Sequence, residues 1–125
     1  MKVRIAGNSI RFRLRKQDVA ALHSSGFVLD LLEFGAEPED RLEFKLETAE
    51  VLEPQIKYST GATTVLLPRV VVEEFSQTER VGFDFDINTG RDRSVYVLVE
   101  KDFSCLDGSD ADNYGTYANP NEQTC

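Results

Sequence analysis

The sequence predicts an α+β fold, antiparallel, built from two pseudo-symmetric ββαββ repeats that form a barrel-like shared core, plus a C-terminal arm. Three observations predict it. Sliding residues 3–47 along by 53 places lays them on 56–100 without a gap, and the apolar positions coincide. Val3 meets Ile56, Phe12 meets Val65, Leu14 meets Leu67, Val19 meets Val72, Leu22 meets Phe75, Val28 meets Val81, Leu32 meets Phe85 and Leu46 meets Val99. Within each half, period-two stretches flank one short stretch of helical period. After Glu100 the texture changes to an Asp-, Asn- and Gly-rich segment without periodicity. The chain of 125 residues therefore reads as one domain, with repeats over 1–53 and 54–100 and an arm over 101–125.

Each element has a local cause. Residues 2–6 alternate into the turn Ala6-Gly7-Asn8-Ser9, whose Gly and Asn tolerate the positive φ of a two-residue hairpin. Residues 9–15 set Ile10, Phe12 and Leu14 against Arg11, Arg13 and Arg15, one apolar face and one cationic face. Val19 and Leu22 have helical spacing over 16–23, and Ser24-Ser25-Gly26 ends that helix. Residues 27–34 place Val28, Leu32 and Phe34 on one strand face, and 41–48 oppose Leu42, Phe44 and Leu46 to Glu43, Lys45 and Glu47. The second half repeats this with strands over 55–59, 62–67, 80–87 and 93–100. Thr60-Gly61 and Asn88-Thr89-Gly90 mark its turns, and Pro68 suits a helix start. The run Val95-Tyr96-Val97-Leu98-Val99 is apolar on both faces and belongs in the middle of a sheet. A half this small cannot bury its own apolar face, so the halves share one core. Closing the strands into a barrel removes exposed edges; two ferredoxin-like layers side by side are the alternative.

Apolar content of 41% and charged content of 29% fit an ordinary globular protein. A net charge of −8 repels phosphate backbones, so nucleic acid is not an expected partner. No apolar run is long enough for a bilayer and no signal-peptide pattern opens the chain, so no membrane is expected and a cytoplasmic location is the default. In that compartment Cys105 and Cys125 stay as thiols.

The opening MKVRIAGNSIRFRL and the stretch VEKDFSCLDGSDADNYGTYANPN resemble the two signatures of an uncharacterised family of small bacterial proteins, a domain of unknown function. That resemblance implies no activity and no catalytic residues. The twofold-repeated antiparallel architecture with charged alternating strands is also distantly similar to the CYTH, or triphosphate-tunnel, proteins. Those open with an ExExK strand, where this chain has Lys2-Val3-Arg4-Ile5; Glu43-Phe44-Lys45-Leu46-Glu47 carries the right residue types in another strand.

Arg4, Arg11, Arg13 and Arg15, with Glu43 and Glu47, form the candidate ligand-binding set. Guanidinium forks suit phosphate or carboxylate, whereas pairing with Glu43, Glu47 or the acidic arm is the routine finish of a sheet surface. Asp107, Asp110 and Asp112 partly imitate a calcium loop, but Tyr114 stands at a ligand position and the closing acid falls on Asn121. An Asp-rich turn capping its own amides is the simpler reading. His23, Cys105 and Cys125 lack zinc-site spacing, and no GxSxG, HExxH or Gly-rich phosphate loop occurs. No cofactor is expected. The sequence thus points to a binding or accessory module without recognisable catalytic machinery, more a non-enzyme than an enzyme, with an unknown protein partner or a small anionic ligand. The alternative is a CYTH-like enzyme or sensor that takes an anionic phosphorylated ligand on the arginine face.

Overall fold

The computed structural model describes residues 1–104 and 114–118. Its elements run β1 (Lys2–Ala6), β2 (Ser9–Leu14), α1 (Lys16–Ser25), β3 (Phe27–Glu33), β4 (Arg41–Ala49), β5 (Gln55–Ser59), β6 (Ala62–Pro68), α2 (Arg69–Gln77), β7 (Gly82–Gly90) and β8 (Arg93–Lys101). Each half is the expected ββαββ unit. The chain crosses at each helix, so each half gives one hairpin to each of two sheets. One sheet, here sheet A, has the order β1-β2-β8-β7; the other, sheet B, has β3-β4-β6-β5.

This arrangement corrects the expected barrel. The sheets are separate, and β1, β7, β3 and β5 end them as edges. Only the hairpin pairs are antiparallel; the two central joins, β2 with β8 and β4 with β6, are parallel. Alternation tells which face of a strand is buried. It is silent on which strand lies beside it and in which direction, so neither closure nor the parallel joins were legible.

The repeat itself is real and has one slip. Val3 pairs with Phe12 as Ile56 pairs with Val65, and Phe12 lies beside Val99 as Val65 lies beside Leu46. In the hairpins that follow the helices, Val28 faces Leu46, but Phe83, not Val81, faces Val99. The structural partner of Val28 is therefore Phe83, two residues beyond the ungapped match, and Val81 is left exposed. A two-residue slip keeps every side chain on its original face, so the hydrophobic pattern could not reveal it.

The core lies between the sheets and is closed at one end by the helices. Phe12, Leu14, Val97 and Val99 come from sheet A, Leu46, Val65 and Leu67 from sheet B, and Val19, Leu22, Val72 and Phe75 from the helices. Helix α1 packs on β2, β3, β4 and α2. It stops at Gly26, whose φ of 84° is the left-handed cap that glycine adopts without strain. Gly61 is under a tighter demand: its φ is +74° and a Cβ there would sit 2.6 Å from the Arg41 carbonyl oxygen. As its apolar pattern predicts, β8 lies inside its sheet, between β2 and β7.

The last turn differs from expectation. Asn88-Thr89-Gly90 falls on a bulge at the end of β7, and the chain reverses at Arg91 and Asp92, with φ of 52° and 59°. A two-residue hairpin turn with both φ positive matches the twist of its strands but strains non-glycine residues. Replacing Arg91-Asp92 by Asn-Gly is expected to stabilise the protein by about 1 kcal/mol, read as a raised urea midpoint at unchanged slope.

The start of the arm is built in. Asp102 continues β8 by donating its N–H to the Leu14 carbonyl, 2.8 Å. Phe103 and Tyr117 form a short parallel bridge with ring centroids 5.7 Å apart. Tyr114 is exposed. Leu106, Cys105 and Cys125 lie outside the described residues.

Candidate functional site

Two surfaces carry the chemistry. The first is the outer face of sheet A. Register places Lys2, Arg13 and Glu100 in one row across β1, β2 and β8, and Arg4, Arg11 and Leu98 in the next, with Asp84 of β7 closing it. The inward faces of the same strands hold Phe12 and Leu14, so the arginines point away from the core because of the pleat. Arg11 forms an ion pair with Glu100, and Arg13 Nη2 lies 3.2 Å from Asp102 Oδ1. Lys2 Nζ is 2.9 Å from Asp102 Oδ2. Asp102 is 0% exposed. Neither of its carboxylate oxygens has an aligned N–H, so the cluster is ionic rather than a set of well-formed hydrogen bonds.

The predicted anion-binding residues are thus split. Arg4, Arg11 and Arg13 share one face, while Arg15 is the N-cap of α1, where its backbone N–H donates to Asp18 Oδ2 at 2.9 Å. Glu43 and Glu47 lie on β4 of the other sheet, and Glu47 is 3.2 Å from Lys45. Beside Arg4 and Arg11 is a shallow hollow of about 150 Å³, which Ser9, Tyr96 and Leu98 also line. The Tyr96 hydroxyl donates to Asp84 at 2.7 Å, and this bond raises the phenol above its usual pKa. Asp107, Asp110 and Asp112 lie outside the described residues. Among the described residues no group of three or more His, Cys, Asp or Glu side chains is placed to hold a metal.

Near the helices, Lys101 is buried at the end of β8. Its ammonium donates to the Thr78 carbonyl at 2.9 Å and stands over the rings of Phe75 and Tyr117. Burial lowers its pKa and raises that of the Tyr117 phenol. His23 is exposed on α1, 3.2 Å from the Gln77 side-chain nitrogen.

The second surface was missed by sequence reasoning. Between β1 and the β3–β4 hairpin the two sheets part into an open cleft of about 470 Å³, lined by Met1, Val3, Ile5, Leu31, Leu32, Leu42 and Phe44, with Asp30 as its one charged side chain. Ile5 is 62% exposed, Leu32 54% and Phe34 69%. Val28 of β3 is buried and Val3 of β1 packs on the core, but farther along the same inward faces Ile5 and Leu32 meet solvent because the sheets are open there. The cleft continues around the sandwich end opposite the helices, where Ile5 and Phe44 also line a gap with Ile10, Ile56, Tyr58 and Val95. The pseudo-equivalent cleft between β5 and β7, about 630 Å³, is lined by Glu53, Pro54, Gln55, Ile56, Asp86, Ile87 and Asn88. With the two-residue slip applied, Asp86 stands where Leu31 stands. One side has become polar and the other has stayed apolar. The signal in the sequence was Leu31-Leu32, which makes β3 apolar on both faces although it is an edge.

Among the described residues no helix is long and apolar enough to cross a membrane. The described strands form two separate sheets and not a closed barrel, so the architectural likeness to CYTH proteins loses its basis. No curated protein and no solved structure matches the chain. Residues 1–121 match the family of unknown function DUF7009, and the chain belongs to that family.

Proposed function

We propose that this protein is a non-catalytic binding module that recognises a partner protein through the apolar cleft between β1 and the β3–β4 hairpin. The observation that carries this reading is the set of exposed apolar side chains in the cleft, Ile5, Leu31, Leu32 and Leu42, with Phe34 exposed just beyond the end of β3. Single exposed leucines are ordinary, but a contiguous apolar cleft on a chain with 29% charged residues marks an interaction surface. Its polar counterpart across the pseudo-twofold supports the same reading, since packing alone treats both sides alike.

The test compares the wild-type chain with Leu31→Ser/Leu32→Ser/Phe34→Ser as baits of matched thermal stability. Proteins retained by the wild type are purified and their binding is measured directly. The expected result is a partner whose affinity falls at least about tenfold in the variant, equivalent to about 1.4 kcal/mol. Partners that bind both baits equally, or a turnover of phosphate esters or anhydrides that responds to point mutation, count against the reading.

The second reading, an enzyme or sensor of an anionic phosphorylated ligand, draws support from the hollow beside Arg4 and Arg11. Arg11 and Arg13 already face Glu100 and Asp102, so an anion there has to displace carboxylates. Titration with pyrophosphate, followed by amide shifts on β1 and β2, separates the two readings.

A further inference from the structure

The geometry points to an extended, basic-and-apolar peptide segment as the occupant, one that adds a strand to the free edge of β3. This rests on the binding-module reading and names the partner's chemistry.

The backbone of β3 is set up for it. Thr48 N–H donates to the Gly26 carbonyl and Phe34 N–H to the Asp40 carbonyl, at the two ends of the β3–β4 pairing. In an antiparallel ladder, residues alternate between bonding the neighbour and facing away from it. Counting inward from both ends, Val28, Asp30 and Leu32 bond β4. The N–H and C=O groups of Leu29, Leu31 and Glu33 therefore face the open edge. Among the described residues β3 pairs with β4 alone.

The other three edges carry devices that discourage strand addition. β1 has Arg4, β5 has Lys57, and β7 has Asp84, Asp86 and a bulge near Gly90. β3 reads FVLDLLE. Its one mid-strand charge, Asp30, lies 2.8 Å from the Met1 amine, which also faces Asp18 at 3.2 Å, so that charge is held inside an ion cluster at the strand's inner face. Leu31 and Leu32 are both exposed beside this edge. An added strand would pair its backbone with Leu29, Leu31 and Glu33 and set alternate apolar side chains over Ile5 and Leu32.

Charge selects the partner. From the end of β3 to the start of β4 the chain carries Glu33, Glu37, Glu39 and Asp40 against the single Arg41, and the whole chain has a net charge of −8. A second copy of this chain would bring the same acidic rim to the interface and be repelled, whereas lysine or arginine in the added strand is attracted.

The probes are capped peptides matched in length to β3: alternating Lys–Val, its Glu–Val counterpart, and the Lys–Val peptide N-methylated at alternate residues. Binding to the full chain is followed by amide shifts. The Lys–Val peptide is expected to bind, more weakly as salt rises, and to move the amides of Leu29, Leu31 and Glu33 most. The N-methylated and Glu–Val peptides are expected to bind at least about tenfold more weakly. Leu31→Pro removes one outward N–H and no β3–β4 bond, so it should abolish binding while Leu31→Ala retains it. If Leu31→Pro fails to fold, the N-methylated peptide decides. Equal binding of the methylated and unmethylated peptides, both weakened by Leu32→Ser, overturns strand addition and leaves the cleft reading intact. Equal binding of Glu–Val and Lys–Val overturns the basic specificity. No binding by any peptide, with no purified partner sensitive to the cleft leucines, overturns both.

Discussion

Asp102→Ala is expected to destabilise the protein by about 3 kcal/mol, chiefly through what it leaves behind. The Asp102 carboxylate is fully buried and faces Lys2 at 2.9 Å and Arg13 at 3.2 Å. Removing it strands two cations beside each other in a half-buried setting. Arg13 is only 23% exposed, and its other carboxylate neighbour, Glu100, at 3.6 Å, is already paired with Arg11. Asp102→Asn keeps the shape and loses the charge, so it should cost less than alanine but more than a surface substitution. The loss has a local signature. The Tyr117 N–H donates to the Asp102 carbonyl at 2.7 Å, and the Lys16 N–H donates to the Gly115 carbonyl at 3.1 Å. Loosening the end of β8 should therefore lower hydrogen-exchange protection at Tyr117 before the rest of the core. A urea midpoint within experimental error of wild type for Asp102→Ala, with Tyr117 still protected, would show that the cluster carries no stability.

Phe75→Ala is expected to cost 3–5 kcal/mol, the range for removing a fully enclosed phenylalanine. Phe75 is 0% exposed on α2. Its ring meets Phe83 of β7 edge-on, with centroids 5.1 Å apart, and Lys101 Nζ stands 5.3 Å from its centroid. One side chain thus ties a helix to the edge strand of sheet A and to the end of β8. The pseudo-symmetric position in the first half is Leu22, also buried. Phe75→Leu restores that residue type and should recover most of the loss, because it returns apolar volume without the aromatic contact. The measurement is equilibrium unfolding of the three proteins. A loss below about 1 kcal/mol for alanine would mean that the neighbouring side chains collapse into the space.

The cleft illustrates how a correct local reading leads to an incomplete surface. Leu32 and Phe44 were read onto the apolar faces of their strands, the alternation of residues 2–6 sets Val3 and Ile5 on one face of theirs, and the pleat turns these faces inward. Whether an inward face is covered depends on its neighbours. Ile10 and Phe12 are covered because β2 is an inner strand. Ile5, one strand away on β1, is not. The arginines behave in the same way. Alternation correctly set Arg11 and Arg13 opposite Phe12 and Leu14. Their partners, Glu100 and Asp102, lie nearly ninety residues along the chain and reached them only through the parallel β2–β8 join.

By itself the sequence determined the elements, the twofold repeat and the face of each strand, because these follow from local periodicity and from turn and cap residues. Only the tertiary structure decided that the halves exchange hairpins, that the inner strands run parallel, that β7 slips by two residues and that one side of the sandwich stays open and apolar. The physical reason is common to all four. Strand pairing is a contact between distant segments, and a pleated strand presents the same two faces whichever neighbour it has, in either direction and after any even shift of register.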